Sequence, residues 1–152
     1  RIEGPLGDFT LRKESARPVI LMAAGTGFAP IKGIVEDALT QGVRRPIYLY
    51  RGASTKQNLY LDSVARGWVS EVENLDYAPV LSRPDADDGW RGRRGYVQDA
   101  VVGDFPDLSA FEIYASGSPA MVNAARETCL AHCLSREHFY FDAFEFGERS
   151  QA

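Results

Sequence analysis

Two glycine-rich turns carry the residues whose types and spacing best suit ligand binding. They are AAGTGFAP at residues 23–30 and ASGSPAM at residues 115–121, and each lies between an apolar run and a helix-like pattern. Glycine allows positive φ angles and lets another molecule approach the main chain closely. The free N–H groups at the start of a helix attract a phosphate or another electron-rich group, and proline suits a first helical position. The two turns therefore predict a binding site, with small residues leaving room for a flat ring.

The elements around these turns alternate between strands and helices. Nearly all-apolar strands predict a mostly parallel, five-stranded sheet with helices on both faces, an α/β, Rossmann-like three-layer sandwich. Ligands bind such sheets at the carboxyl ends of the strands, where both turns would lie. Residues 83–95 are predicted to form a polar loop. The predicted strands are 18–24, 45–52, 75–82, 110–118 and 137–146, and the predicted helices are 31–40, 58–72, 96–105 and 119–134.

Composition excludes several classes of function. The chain has 152 residues, 45% of them hydrophobic and 25% charged, which suits a folded domain rather than a disordered chain. A net charge of −4 argues against nucleic acid as the main partner. No apolar run predicts a membrane span, and the first residues do not form a signal peptide. Cys129 and Cys133, spaced as on one helix face, are predicted to be buried free thiols of a cytoplasmic protein rather than metal ligands.

Three common loop patterns fit the first turn poorly. A phosphate-binding Walker loop ends in Gly-Lys-Ser/Thr, whereas here Lys32 precedes Gly33. The dinucleotide pattern G-x-G-x-x-G fits Gly25 and Gly27, but Pro30 stands at the third glycine. A methyltransferase loop would have an acidic residue before the glycines, and this chain has alanine there.

Several blocks together resemble ferredoxin–NADP⁺ reductase-like proteins, in particular the bacterial NAD(P)H-dependent flavin and oxygenase reductases. The resemblance covers about residues 4–146, in blocks such as GTGFAPIKGIVEDAL, IYLYRGASTKQNLYL, IYASGSPAMVNAAR and FYFDAFEF. It implies an NAD(P)-binding domain at residues 17–152. Residues 1–16 would be the C-terminal remnant of a flavin-binding β-barrel, with GPLGDFTLR as its final turn and strand. FAD or FMN is then expected in an upstream domain, and a 2Fe–2S domain elsewhere in the full protein is a further expectation.

The same resemblance implies roles for individual residues. Thr26 would lie near the flavin edge, and Ser116 stands where many relatives have cysteine. With Glu145, these are the implied catalytic residues. The first turn would lie under the nicotinamide and pyrophosphate, the second would lie against the nicotinamide, and Phe144 would lie near the flavin or nicotinamide. The implied cofactor contacts in the two turns are Gly25, Thr26, Gly27, Pro30, Ser116, Gly117, Ser118, Pro119 and Met121.

The loop after the second strand should decide between NADH and NADPH. Arg51 and Lys56 are basic and could accommodate a 2′-phosphate, Ser54 offers a hydroxyl, and Tyr60 could border an adenine. This chemistry favours NADPH, whereas the resemblance to oxygenase-type reductases favours NADH, so the choice stays open. Arg51 and Lys56 could equally be solvated surface residues.

The expected function is hydride transfer from NADH or NADPH to a flavin, followed by electron transfer to an iron–sulfur centre, an oxygenase or free flavin. The expected partners are the flavin-binding domain of the same chain and an electron-acceptor protein or small molecule, with no nucleic acid and no membrane. The alternative is a non-redox nucleotide-binding or regulatory module on the same fold.

Overall fold

The computed structural model describes residues 9–12, 14–86 and 89–143. Within them, six strands and four α-helices alternate along the chain, except that the fourth strand follows the third without a helix between them. The strands are β1 (Val19–Ala24), β2 (Ile47–Ala53), β3 (Leu75–Leu81), β4 (Arg93–Arg94), β5 (Glu112–Gly117) and β6 (Phe139–Ala143). The helices are α1 (Phe28–Gln41), α2 (Asp62–Glu71), α3 (Val97–Asp104) and α4 (Pro119–Ala131).

These strands form one parallel sheet in the order β4-β3-β2-β1-β5-β6. The predicted α/β, mostly parallel architecture is therefore confirmed. The sixth strand, β4, was not predicted, because it consists of two exposed arginines in a segment that reads as a polar loop. Backbone pairing with Val80 and Leu81 holds it at the edge, and no side-chain pattern in the sequence signals that pairing.

Each face of the sheet has its own apolar layer, because successive strand residues point to opposite faces. Leu21 and Leu49 pack with α1 and α2, including the ring of Trp68. Ile20 and Met22 pack with α3 and α4 on the other face. This arrangement gives the three layers that the apolar strands predicted.

Local chemistry fixes the ends of the helices that follow the two turns. Helix α1 begins at Phe28, three residues earlier than predicted, so Pro30 is its third residue rather than its first. It ends at Gly42, whose φ of 71° is left-handed and suits glycine. Helix α4 begins at Pro119, and the Ser118 hydroxyl caps it by accepting a hydrogen bond from the Met121 N–H at 3.2 Å.

The segment before β1 packs against the domain without forming the predicted strand. Residues 9–12 have no strand conformation, while residues 1–8 and 13 lie outside the described residues. Leu11 is 7% exposed and belongs to the core, and the Phe9 ring contacts the Tyr114 ring at 6.2 Å between centroids. A strand needs a hydrogen-bonded neighbour, and none of the six sheet strands pairs with this segment.

A partly buried arginine joins this segment to the amino-terminal ends of β2 and β5. Arg45 forms a 3.0 Å ion pair with Glu112 and donates to the carbonyl oxygens of Arg12 and Arg17 at 2.7 and 3.0 Å. Glu112 also accepts from the Tyr114 hydroxyl at 3.1 Å. Hydrogen bonds to several partners are what a buried charge needs to be tolerated.

The two cysteines differ in their surroundings. Cys129 is buried in α4, and burial raises the pKa of its thiol to about 12. Cys133 is exposed, so the prediction of a buried thiol is wrong there. The reason is that α4 ends at Ala131, before Cys133, which has a φ of 78°. In the described part of the chain, no helix has the length and apolarity required to cross a membrane.

We predict that Arg45→Met lowers the free energy of unfolding by about 3 kcal/mol, because Glu112 is left as an unpaired buried charge. Lys32→Met is the matched control, since it breaks the exposed Lys32–Glu36 pair and should change that free energy by less than about 1 kcal/mol. Urea denaturation of the variants measures both values. Equal losses in the two variants would contradict the structural role of Arg45.

Candidate functional site

The two glycine-rich turns leave the sheet at the same edge. Strands β1 and β5 are parallel neighbours with Ala23 opposite Ser116, so the turn Gly25–Gly27 and the turn Gly117–Ser118 lie side by side. This is the carboxyl edge of the sheet, where the sequence placed both turns. It is also where ligands bind in open α/β sheets.

Gly27 is required because the turns touch each other. A Cβ atom at Gly27 would overlap the Ser116 carbonyl group and would lie 2.8 Å from the Gly117 nitrogen. At Gly117, a Cβ atom would lie 2.9 Å from the Met121 sulfur and 3.4 Å from the Ala24 carbonyl oxygen. The direction in which a side chain at Gly27 would project is therefore occupied by protein backbone.

Gly25 has a different role. Its φ is +57°, and nothing lies within 4 Å of the position that a Cβ would occupy. Glycine is thus favoured there by backbone conformation, and its main chain stays open to the adjacent cavity. This openness is what a ligand that approaches the backbone needs.

A cavity of about 530 Å³ opens beside this turn. It lies at the carboxyl ends of β1, β2 and β3, with the start of α3 as its opposite wall. Four of the predicted cofactor-binding residues line it, namely Gly25, Ser54, Tyr60 and Met121. The remaining lining residues are Ala24, Gly52, Ala53, Asn58, Ser82, Gly95, Tyr96, Val97 and Gln98.

Two exposed tyrosines border the cavity, Tyr60 with 44% and Tyr96 with 62% of its surface exposed. The Ser54 and Thr55 hydroxyls both donate to the Asn58 side-chain oxygen, at 2.9 and 2.8 Å, which shapes the loop after β2. Exposed aromatic rings at a cavity are suited to contact a flat ligand. Sequence reasoning missed Ser82 and Tyr96, although Ser82 is the last residue of a predicted parallel strand and so lies at the same edge.

A second polar feature lies where β5 pairs with β6. Ser116 is fully buried, and its hydroxyl has no hydrogen-bond partner. Asp142, opposite Ser116 in the neighbouring strand, is 2% exposed and has one unpartnered carboxylate oxygen. Burial raises the pKa of the Asp142 carboxyl. Sequence reasoning missed Asp142, although an acidic residue inside an apolar strand was a signal for it.

The remaining predicted residues are more dispersed. Lys56 and Ser118 are exposed, and Pro30 and Pro119 are half-buried.

Arg51 is 1% exposed and lies outside the cavity lining, so its interpretation as a solvated surface residue is wrong. The predictions for Phe144, Glu145 and the Thr26 side chain lie outside what the structure describes. Among the described residues, no group of three or more histidine, cysteine, aspartate or glutamate side chains could hold a metal ion.

We predict that Gly27→Ala lowers the free energy of unfolding by at least about 2 kcal/mol, because the new methyl group overlaps the Ser116 backbone. Gly33→Ala is the control within α1, where a Cβ atom meets nothing within 4 Å, and it should raise stability by up to about 1 kcal/mol. Thermal and urea unfolding of both variants measure the difference. A Gly27→Ala protein as stable as the unmodified chain would contradict the contact between the turns.

Comparison with known proteins identifies the family. A family model described as the oxidoreductase NAD-binding domain matches residues 21–127. Protein RfbI of Salmonella typhimurium is 46% identical over 144 residues, which are 95% of this chain and 42% of that protein. CDP-6-deoxy-L-threo-D-glycero-4-hexulose-3-dehydrase reductase of Yersinia pestis is 42% identical, with 95% and 43% covered. An NAD(P)H-flavin reductase of Vibrio harveyi is 35% identical, with 95% and 61% covered.

A solved structure agrees with these relatives. The Amycolatopsis cytochrome P450 reductase GcoB superposes with a TM-score of 0.83 at 30% identity, covering 93% of this chain and 42% of that chain. The chain thus spans less than two thirds of each of these similar proteins. The resemblance to ferredoxin–NADP⁺ reductase-like proteins is confirmed, and the chain belongs to the oxidoreductase NAD-binding domain family.

Proposed function

We propose that this chain binds NADH or NADPH as the nucleotide domain of a flavoprotein oxidoreductase and positions the nicotinamide for hydride transfer to a flavin. The observation that carries the proposal is the cavity of about 530 Å³ beside the open Gly25 turn, in a chain of this family. A cavity of this size is in the range of ligand sites in proteins. It also lies at the edge of the sheet where nucleotides bind in related architectures.

The first turn fits the diphosphate of the dinucleotide. Gly25 leaves its backbone uncovered, and the turn leads into the amino end of α1. Backbone N–H groups and the helix dipole favour negative charge at such a position. Thr26, Gly27 and Pro30 are proposed to complete this turn around the diphosphate, with Gly27 acting through the packing of the turns.

The cavity itself fits the adenosine half. Apart from Met121, which follows β5, its lining extends from β1 toward β2 and β3, and Tyr60 and Tyr96 border it. We propose that these rings contact the adenine. Ser54 and the exposed Lys56 follow β2 on the same side and are proposed to contact the adenosine ribose or its phosphate.

The nicotinamide half is proposed to lie on the β5 side, against the turn of Ser116–Met121. The Ser116 hydroxyl and one Asp142 carboxylate oxygen are buried without a hydrogen-bond partner on this side of the domain, and we propose that a bound ring supplies one. When bound, the dinucleotide supplies the hydride, while these residues orient it. Thr26, Ser116 and Glu145 remain the proposed catalytic residues, and Phe144 a proposed contact.

Redox activity requires a partner that the described residues do not provide. We propose that a flavin-binding domain with FAD or FMN precedes residue 17, and that residues 1–16 end that domain. The similar proteins are longer than this chain, and several are named flavin, dehydrase or cytochrome P450 reductases. We propose that the final electron acceptor is an iron–sulfur centre, such as a 2Fe–2S domain of the full protein, or else an oxygenase or free flavin. We also propose that the protein acts in the cytoplasm.

We predict that the chain binds NADH, NADPH and ADP-ribose. Tyr96→Ala should lower the affinity for all three by about tenfold, because the bound adenine loses its contact with an aromatic ring. Isothermal titration calorimetry measures these affinities. Val69→Ala is the control, because Val69 is an exposed apolar side chain outside this cavity and its loss should leave the affinities unchanged.

Redox dependence on the flavin domain is tested by dye reduction. The isolated chain should reduce no dye with NADH or NADPH, and the chain joined to its flavin domain should do so. Binding without dye reduction by the full-length protein would favour the non-redox module. The absence of any nucleotide binding would contradict the proposed function.

A further inference from the structure

We propose that Arg51 is a positioning residue that holds the Tyr60 ring as a wall of the cavity, and that it makes no contact with the 2′-phosphate of NADPH. This inference rests on the proposed function, because it assumes that the cavity binds the adenosine half of a dinucleotide. It replaces the direct phosphate contact that the basic character of Arg51 predicted from sequence.

The Arg51 guanidinium lies over the faces of two aromatic rings. Its central carbon is 4.1 Å from the centroid of the Phe28 ring and 4.6 Å from that of the Tyr60 ring. The two rings are perpendicular to each other, 6.1 Å apart between centroids. A planar cation stacks favourably on aromatic faces, and more strongly when water is excluded.

Arg51 also lacks the partners that a buried arginine normally has. None of its three side-chain nitrogens has a hydrogen-bond partner, although the residue is only 1% exposed. Burial raises the pKa of the Tyr77 hydroxyl while Arg51 lowers it, so this hydroxyl lies near the guanidinium in addition to the two rings. A side chain held in this way is suited to order the rings around it.

A carboxylate near this cluster balances the buried charge. Partial burial raises the pKa of the Asp62 carboxyl, but hydrogen bonds from Tyr77 and Arg66 and the charges of Arg66 and Arg51 outweigh it, so the pKa lies below its usual value. Tyr77 donates to Asp62 at 2.6 Å, and Arg66 does so at 2.7 Å. Asp62 is thus an anion whose hydrogen-bond donors are Tyr77 and Arg66. Arg51 is not among these donors, and its guanidinium packs against the Phe28 and Tyr60 rings.

The position of Arg51 in β2 separates it from the ligand. The next residues, Gly52 and Ala53, line the cavity, whereas Arg51 does not. To reach a phosphate, the guanidinium would have to leave both rings. Tyr60 does line the cavity, and Phe28 is the first residue of α1 after the Gly25–Gly27 turn. The stack therefore connects the proposed diphosphate turn with the proposed adenosine wall.

The test compares Arg51→Met with the unmodified chain by calorimetric titration of NADH, NADPH, ADP-ribose and nicotinamide mononucleotide. Methionine fills a similar volume without the charge or the planar group. We expect NADH, NADPH and ADP-ribose to bind roughly tenfold more weakly, by the same factor, since a cation–π pair has been lost. The affinity for nicotinamide mononucleotide, which lacks adenosine, should not change. A general loss of folding would instead weaken the binding of all four compounds.

A double-mutant cycle tests whether Arg51 acts through Tyr60. In a Tyr60→Ala background, Arg51→Met should have little further effect, because the ring that Arg51 holds is absent. Arg51→Lys keeps the charge but not the planar group and should recover only part of the affinity. If the methionine variant does not fold in a parallel urea titration, Arg51→Lys replaces it in the cycle.

Three results would overturn the inference while leaving the proposed function intact. They are a selective loss of NADPH binding, unchanged binding of all nucleotides, and equal losses with and without the Tyr60 ring. Failure of the unmodified chain to bind any of the nucleotides would overturn the proposed function, and this inference with it.

Discussion

The close contact between two backbone turns is the constraint on which the rest of the site depends. Gly27 lies so near the Ser116 carbonyl that any side chain would overlap it. This contact fixes the start of α1 beside the end of β5, so the open backbone of Gly25 faces the cavity on the other side. Gly27 is thus needed for the packing of the two turns, and Gly25 keeps the backbone accessible from the cavity, although both belong to the same short motif.

Buried charges divide the domain into a structural edge and a functional edge. At the amino ends of the strands, Arg45 has a carboxylate and two carbonyl partners, which secure the segment before β1. At the carboxyl ends, Arg51 is stacked on rings and Asp142 keeps an unpartnered oxygen. Groups with all their hydrogen bonds made suit a fixed joint, whereas an unpartnered buried oxygen such as that of Asp142 can still accept a hydrogen bond from a further partner.

The sequence predicted the sheet well because buried parallel strands are nearly all apolar, and that pattern is local. It also located the candidate site, since Gly25 directly follows such a strand and Ser116 lies near the end of another. It could not show that Gly27 meets the backbone of Ser116, far along the chain in another strand, or that Arg51 lies against Phe28 and Tyr60. Both facts depend on contacts between distant segments. The two-residue strand β4 was missed for the same reason, because only its partner in β3 defines it.

Hydrogen–deuterium exchange with and without ADP-ribose shows whether a nucleotide occupies the cavity at the carboxyl edge of the sheet. We predict that bound ADP-ribose slows exchange in residues 25–27, 52–60 and 95–98, which border this cavity. We also predict unchanged exchange in residues 37–45, which border a separate cavity near the amino ends of the strands. Protection confined to residues 37–45 would contradict nucleotide binding at the carboxyl edge, as would bound ADP-ribose that leaves exchange there unchanged.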